Sequence, residues 1–232
     1  FNGIHEGLVQ SWKDIFPKKG EIYFAGALEN NEDTGTLQYL ASTAMEAGFS
    51  TRVLDMQALD LQNGRFFDPA GELVNRCFKL YPWEWMVDES PDGCLAEMEW
   101  LEPIWKLVMS NKAILATLYE LFPDSPYVLP CYLSRPRSGL FCKKPVFSRE
   151  GHNVSVVDIR NWEEHVRIAE TEGDYNTGAY VYQEYVEPTV YSGRYPVIGS
   201  WIIGGEAAGI GIRENRMEVT DNLSEFVPHI IG

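Results

Sequence analysis

The chain has 232 residues, 45% of them hydrophobic, enough for one sizeable core or two smaller packed lobes. No apolar run approaches the ~20 residues of a membrane-spanning helix, and no charged-then-apolar leader opens the chain. With 34 Asp+Glu against 19 Lys+Arg and a formal net charge of -15, the balance argues against nucleic acid as a partner.

That acidity keeps a protein soluble, and it also draws cationic substrates such as polyamines. The first residue is Phe1 rather than methionine, so an upstream segment is expected. Residues Ile4 to Phe16 carry apolar positions at helical spacing (Ile4, Leu8, Trp12, Ile15) and stop at Pro17. The run Ile22 to Leu28 predicts a buried strand. Asn30 to Thr34 is a polar loop in which Asp33 or Thr34 caps a helix over Leu37 to Ala47, closed by Gly48. Thr51 to Asp55 is a second strand, and the strand–helix–strand order predicts a parallel, right-handed unit.

Asn63-Gly64 and Pro69-Ala70-Gly71 mark turns around a further extended stretch. Cys94 to Leu121 reads as mostly helical, broken near Pro103. From Leu140 onward the texture changes to short strands and glycine turns. The expected division is an α/β substrate-side lobe over 1–125 and a β-rich nucleotide-binding lobe over 126–232. The four cysteines (Cys77, Cys94, Cys131, Cys142) contain no CxxC pair, which points to a reducing, cytoplasmic setting. The four histidines have no metal-ligand spacing.

Candidate chemistry begins at Phe141 to Phe147, a strand carrying Lys144, followed by the turn Ser148 to Asn153 and a strand over Val154 to Val157. A strand lysine facing a glycine-bearing turn can hold phosphates, the lysine by charge and the glycine by letting backbone N–H groups approach. A solvated hairpin lysine is the plainer alternative. Val181 to Tyr185 alternates with period 2 and ends before Pro188, so it is either an edge strand or a hinge offering polar groups to an adenine edge. Val197 to Ile203 turns through Gly204-Gly205 and returns as Ala207 to Arg213, the clearest hairpin in the chain. Arg213, at the end of the return strand, could neutralise a phosphate or a developing acyl-phosphate charge, although a lone arginine is more often a surface ion-pair partner. In the loop Glu29 to Asp33, three carboxylates suit an ammonium group or a divalent cation, or simply a helix N-terminus. Cys142 and His152, ten residues apart across the predicted hairpin, allow a thiol hydrolase, although nothing marks an activated thiolate.

Taken together, the stretches GTLQYL, FKLYPWEW, WLEPIWK, SNKAIL, KKPVFSREGHNVSV, VYQEY, YPVIGSW, AGIGIRE and NLSEFVPHI resemble the glutathionylspermidine synthase family, in its shorter acid–amine ligase branch. The resemblance implies an ATP-grasp fold with a pre-ATP-grasp-like α/β lobe, lacking its N-terminal part, and an ATP- and Mg²⁺-dependent amide synthesis through an acyl phosphate. It implies that Lys112 and Lys144 bind ATP phosphates and that Glu150 and Gly151 belong to the phosphate-covering loop. It further implies that Gln183, Glu184 and the next residues, Val186 among them, form the adenine hinge, that Arg213 faces the phosphates, and that Glu218 closes the pocket. Glu32 and Asp33 match the family's acidic polyamine-binding pair. The family's metal ligands are expected upstream, so no metal is assigned to this chain. The threonine at the glutathione end is replaced near Trp85, which leaves the acid substrate open, and the amidase domain has no counterpart. A degenerate ATP-grasp module that binds nucleotide or polyamine without catalysis is the alternative.

Overall fold

The computed structural model describes residues 2–173, 175, 178–219 and 224–230, the side chains of 166–169 excepted. They form two compact units, Phe1–Leu107 with Ser200–Gly209, and Val108–Gly199 with Ile210–Gly232. Among the described residues no helix is long and apolar enough to cross a membrane.

In the first unit α1 (Ile4–Ile15) leads into β1 (Glu21–Gly26), α2 (Asn31–Glu46) and β2 (Ser50–Asp55). A small antiparallel sheet follows, made of β3 (Asp60–Gln62), β4 (Arg65–Phe67) and β5 (Leu73–Val74). Then come β6 (Arg76–Leu80), α3 (Trp83–Glu89), α4 (Pro91–Cys94) and β7 (Glu99–Leu101). The main sheet has the order β2-β1-β6-β7, and every pairing in it is parallel. β1 is central and buried on both faces, which accounts for its nearly unbroken apolar sequence. Ile22 and Phe24 pack with Val9, Trp12, Leu37 and Leu40 from α1 and α2, while Tyr23 and Ala25 face Val74, Cys77, Trp83 and Trp100. Burying each large side chain in such layers stabilises by roughly 1.5–3 kcal/mol.

The parallel unit is as expected, but two local expectations are corrected. Asn30, not Asp33 or Thr34, caps α2: its side chain accepts the Glu32 N–H at 2.9 Å, so the helix starts before Leu37. Glu99–Leu101 is a strand rather than helix, because Trp100 gains a parallel partner in Cys77 and is buried there. Gly26 ends β1 at a close approach. A Cβ there would lie 2.9 Å from Leu37 Cδ1 and 3.1 Å from the Leu80 carbonyl oxygen.

The second unit opens with α5 (Ala113–Leu121). It continues through β8 (Cys131–Tyr132), β9 (Gly139–Pro145), β10 (Ser155–Arg160), β11 (Glu163–Glu170) and β12 (Tyr180–Glu184). These five strands form an antiparallel sheet in the order β11-β10-β9-β12-β8. One face packs Cys131, Val146 and Val181 on Ala116 of α5, and the other holds Phe141, Val157, Ile159 and Tyr182. β13 (Tyr195–Ile203), β14 (Glu206–Asn215) and β15 (Glu225–Val227) make a third sheet. The β13–β14 turn is Gly204-Gly205 with φ of 61° and 89°, both in the region that favours glycine.

Candidate functional site

Consecutive lysines on β9 point to opposite faces of the sheet. Lys143 pairs with Tyr182, and its ammonium meets Glu164 at 3.1 Å and the Tyr180 ring at 4.7 Å. Lys144 pairs with Val181, on the face shared by Cys142 and Gln183, and donates to Gln183 Oε1 at 2.6 Å. No carboxylate among the described residues pairs with it, so Lys144 is a half-buried cation held by a neutral amide.

Glu218 comes to the same place from the loop after β14. Its carboxylate accepts the Tyr185 hydroxyl proton at 3.2 Å. Burial, and then the Glu218 charge, push the Tyr185 phenol up to about 12. Burial also raises the Cys142 thiol, with Lys144 opposing and Glu218 adding to the rise. That thiol is therefore not an activated nucleophile, and the His152 ring lies 5.9 Å from that of Tyr175.

The turn after β9 is tied to the start of α5. Lys112 donates from its ammonium to the Ser148 carbonyl at 2.5 Å and to Ser148 Oγ at 2.8 Å, and its backbone N–H donates to Val146 O at 3.0 Å. Glu150, Gly151 and Asn153 have φ of 51°, 73° and 54°, a tight left-handed run that turns the chain between β9 and β10. Turns of this kind can direct successive N–H groups at an anion.

At the end of β12 only Gln183 shares the face of Lys144; Glu184 pairs with Phe141, is exposed, and faces the other way. The N–H groups of Glu184 and Tyr185 are spent on Pro130 O at 2.8 Å and Leu140 O at 3.0 Å. Val186 is 59% exposed and makes no hydrogen bond among the described residues.

The structure thus gathers Lys144, Gln183 and Glu218, with Lys112 anchoring the Glu150–Gly151 turn. Arg213 stands on β14, in another sheet, opposite Phe226, with its guanidinium carbon 5.8 Å from that ring. Glu32 and Asp33 belong to the first unit, in the first turn of α2 just beyond the C-terminal end of β1. Sheet order turns back between β1 and β6, and strand ends at such a point are where ligands bind in parallel sheets. There they also satisfy the helix dipole.

Lys79, on β6, carried no role in the sequence analysis. It is 7% exposed, donates to Tyr81 O at 2.6 Å and lies 3.7 Å from the Trp83 ring centroid. Burial lowers its ammonium to about 8, while Glu84 and, less strongly, Cys77, Cys94 and Glu102 pull it back up. The signal in the sequence was Cys77-x-Lys79, a lysine two residues from a core position on one strand face.

The family model described as glutathionylspermidine synthase preATP-grasp matches residues 1–232. A Haemophilus influenzae protein named "Putative acid--amine ligase" is 35% identical over 99% of this chain and 61% of its own length. The bifunctional glutathionylspermidine synthetase/amidase of Escherichia coli is 26% identical over 99% of this chain and 42% of its length. The chain therefore spans about three-fifths or less of these relatives. A solved structure titled "Putative gamma-glutamylcysteine synthetase", from Methylobacillus flagellatus KT, superposes with a TM-score of 0.60. It covers 97% of this chain and 72% of that one at 8% identity, which is a likeness of fold alone.

Proposed function

The chain belongs to the glutathionylspermidine synthase preATP-grasp family, and from that premise we propose that it serves an ATP-dependent ligase joining a carboxylate to an amine. The observation that carries this reading is Lys144, a strand lysine beside a glycine turn whose ammonium is held by the Gln183 amide and by no carboxylate among the described residues. A cation kept in that way is ready to exchange a neutral partner for a phosphate oxygen.

ATP, when bound, supplies the phosphoryl group that activates the acid as an acyl phosphate. In this reading Lys144 and Lys112 hold its phosphates, and the Glu150–Gly151 turn lies over them. Gln183, Glu184 and Val186 take the adenine, Glu218 closes the pocket, and Arg213 offsets charge that develops on the reacting oxygens. Glu32 and Asp33 receive the ammonium of the amine substrate, for which a polyamine is the natural class. Mg²⁺ is given no ligand here. Among the described residues no three His, Cys, Asp or Glu are grouped to hold a metal, and no step is drawn through one. The proposed setting is the cytoplasm, in keeping with free, largely buried cysteines.

The test is ADP release by the full protein with Mg²⁺ and an array of acid–amine pairs, beside a Lys144→Ala variant. Turnover that needs both substrates and disappears in the variant supports the ligase. ATP binding without turnover across the array replaces it with a non-catalytic nucleotide binder, and failure to bind ATP removes the site assignment.

A further inference from the structure

The Glu150–Gly151 turn is braced by the residues that follow β11, of which Thr171 is the first. The Thr171 hydroxyl donates to Gly151 O at 2.5 Å and accepts the Val154 N–H at 2.9 Å. It has one hydrogen to give, and the second oxygen near it, Val154 O at 3.2 Å, already accepts the Thr171 N–H at 2.9 Å. One side chain thus ties Gly151 to the first residue beyond the turn. Further along, Asn153 Oδ1 accepts the Tyr175 N–H at 2.8 Å. At Gly173 the approach is so close that a Cβ would stand 2.5 Å from His152 Cβ. Gly151 is the residue most in need of such a brace. At φ 73° and without a Cβ it can change ψ at little cost, and a flipped peptide would swing its carbonyl oxygen toward a bound anion. The Thr171 hydroxyl holds that carbonyl, while the N–H groups of Glu150 and Gly151 make no hydrogen bond among the described residues.

We propose that Thr171 is a positioning residue for the nucleotide's phosphates: its hydroxyl fixes the Gly151 carbonyl and keeps the turn in the shape that offers N–H groups to an anion. The inference rests on the nucleotide reading above. Thr171 touches no phosphate in it and acts through Gly151. The other end of the turn is anchored differently, by the Lys112 ammonium on Ser148 O and Oγ. Lys112 is a charged group with a phosphate of its own to hold, so its bonds to Ser148 are open to exchange when nucleotide arrives. The Thr171 contacts are neutral and join backbone to backbone, so an anion has nothing to displace there. Thr171 is therefore the brace that persists in the loaded site. Both anchors and the turn belong to the second unit.

The experiment titrates ATP and AMP into the full protein by calorimetry, beside Thr171→Val, which keeps the shape and removes the hydroxyl, and Thr171→Ser, which keeps the hydroxyl. The expected result is ATP affinity weakened about fivefold in Thr171→Val, the worth of one ordinary hydrogen bond, and restored in Thr171→Ser. AMP has no β- or γ-phosphate for the turn to hold, so its affinity should stay within about twofold in all three. If Thr171→Val does not fold, NMR of the wild type decides: saturating ATP should shift the Glu150 and Gly151 amide resonances. Equal ATP affinity in Thr171→Val, AMP weakened as much as ATP, no rescue by Thr171→Ser, or unmoved amides in the wild type would each overturn the proposal. A wild type that binds no ATP removes the nucleotide reading and this inference with it. A wild type that binds ATP, matched by Thr171→Val, removes this inference alone.

Discussion

Lys144 Nζ and Gln183 Oε1 lie 2.6 Å apart on adjacent antiparallel strands, while the preceding lysine faces the other side of the sheet and is neutralised by Glu164 at 3.1 Å. The alternation of a strand has thus separated two identical side chains into one structural and one available cation.

Lys144→Ala is expected to weaken nucleotide binding at least tenfold, about 1.4 kcal/mol, with little change in melting temperature. Lys143→Ala should do the reverse. It takes the nearer described cation from Glu164, with Arg135 at 3.7 Å, costing roughly 1–2 kcal/mol of stability while nucleotide affinity stays within about twofold. Calorimetric titration and thermal melts of the two variants check both halves, and equal affinities in the two would refute the assignment of Lys144.

Gly151 sits at φ 73°, directly after Glu150 at φ 51°. Gly151→Val should strain the turn by about 1–2 kcal/mol and raise the ATP dissociation constant several-fold. Glu150→Gly relieves the same kind of strain, so its melting temperature should hold or rise; a fall would mean that the Glu150 side chain supports the turn.

Asp68 is the hub of a small network. Its Oδ1 accepts the N–H groups of Ala70 and Glu72, each at 2.9 Å, and its Oδ2 accepts from Arg52 at 2.7 Å and from the Tyr23 hydroxyl at 3.2 Å. The Glu72 N–H, followed by that of Ala70, the Tyr23 hydroxyl and the Arg52 charge, holds its carboxyl below the usual range against burial. A lowered folded-state value means stability that is present above the ordinary carboxyl pKa and lost as pH falls through the folded one. Asp68→Asn should therefore melt lower than wild type at pH 7, and the gap should close below about pH 4. A gap independent of pH would contradict this.

Lys79 has the opposite sense. Its folded value of about 8 lies below that of the unfolded chain, so unfolding takes up a proton and stability rises with pH between about 8 and about 10.4. Lys79→Met should be more stable than wild type at pH 7 by roughly 1–3 kcal/mol, since a buried charge with no carboxylate partner among the described residues is replaced by an apolar chain. That advantage should shrink as pH climbs through the window, as chemical denaturation at pH 7, 9 and 10.5 would show.

The hairpin at Gly204-Gly205 was readable from residues alone, because two glycines between apolar runs meet a turn that needs two positive φ values. The placement of Lys144 on a strand just before a glycine turn was readable for a related reason. The choice between Lys143 and Lys144 belongs to the sheet, since the register with β12 determines which face receives each. β7 escaped because three residues carry no period, and its conformation comes from pairing with β6. Lys79 escaped because a strand lysine is ordinarily taken to face water, and only the packing of α3 and β7 over it removes that water.

Gly26 has one hydrogen where any other residue would carry a carbon, and it touches both Leu37 of α2 and the backbone at the end of β6. Glu32 and Asp33 ride on the same helix less than two turns before Leu37. Gly26→Ala would act as a spacer, pushing the helix outward and moving both charges with it. The position of the acidic pair beyond the strand end is therefore set by an atom that is missing from a neighbouring strand.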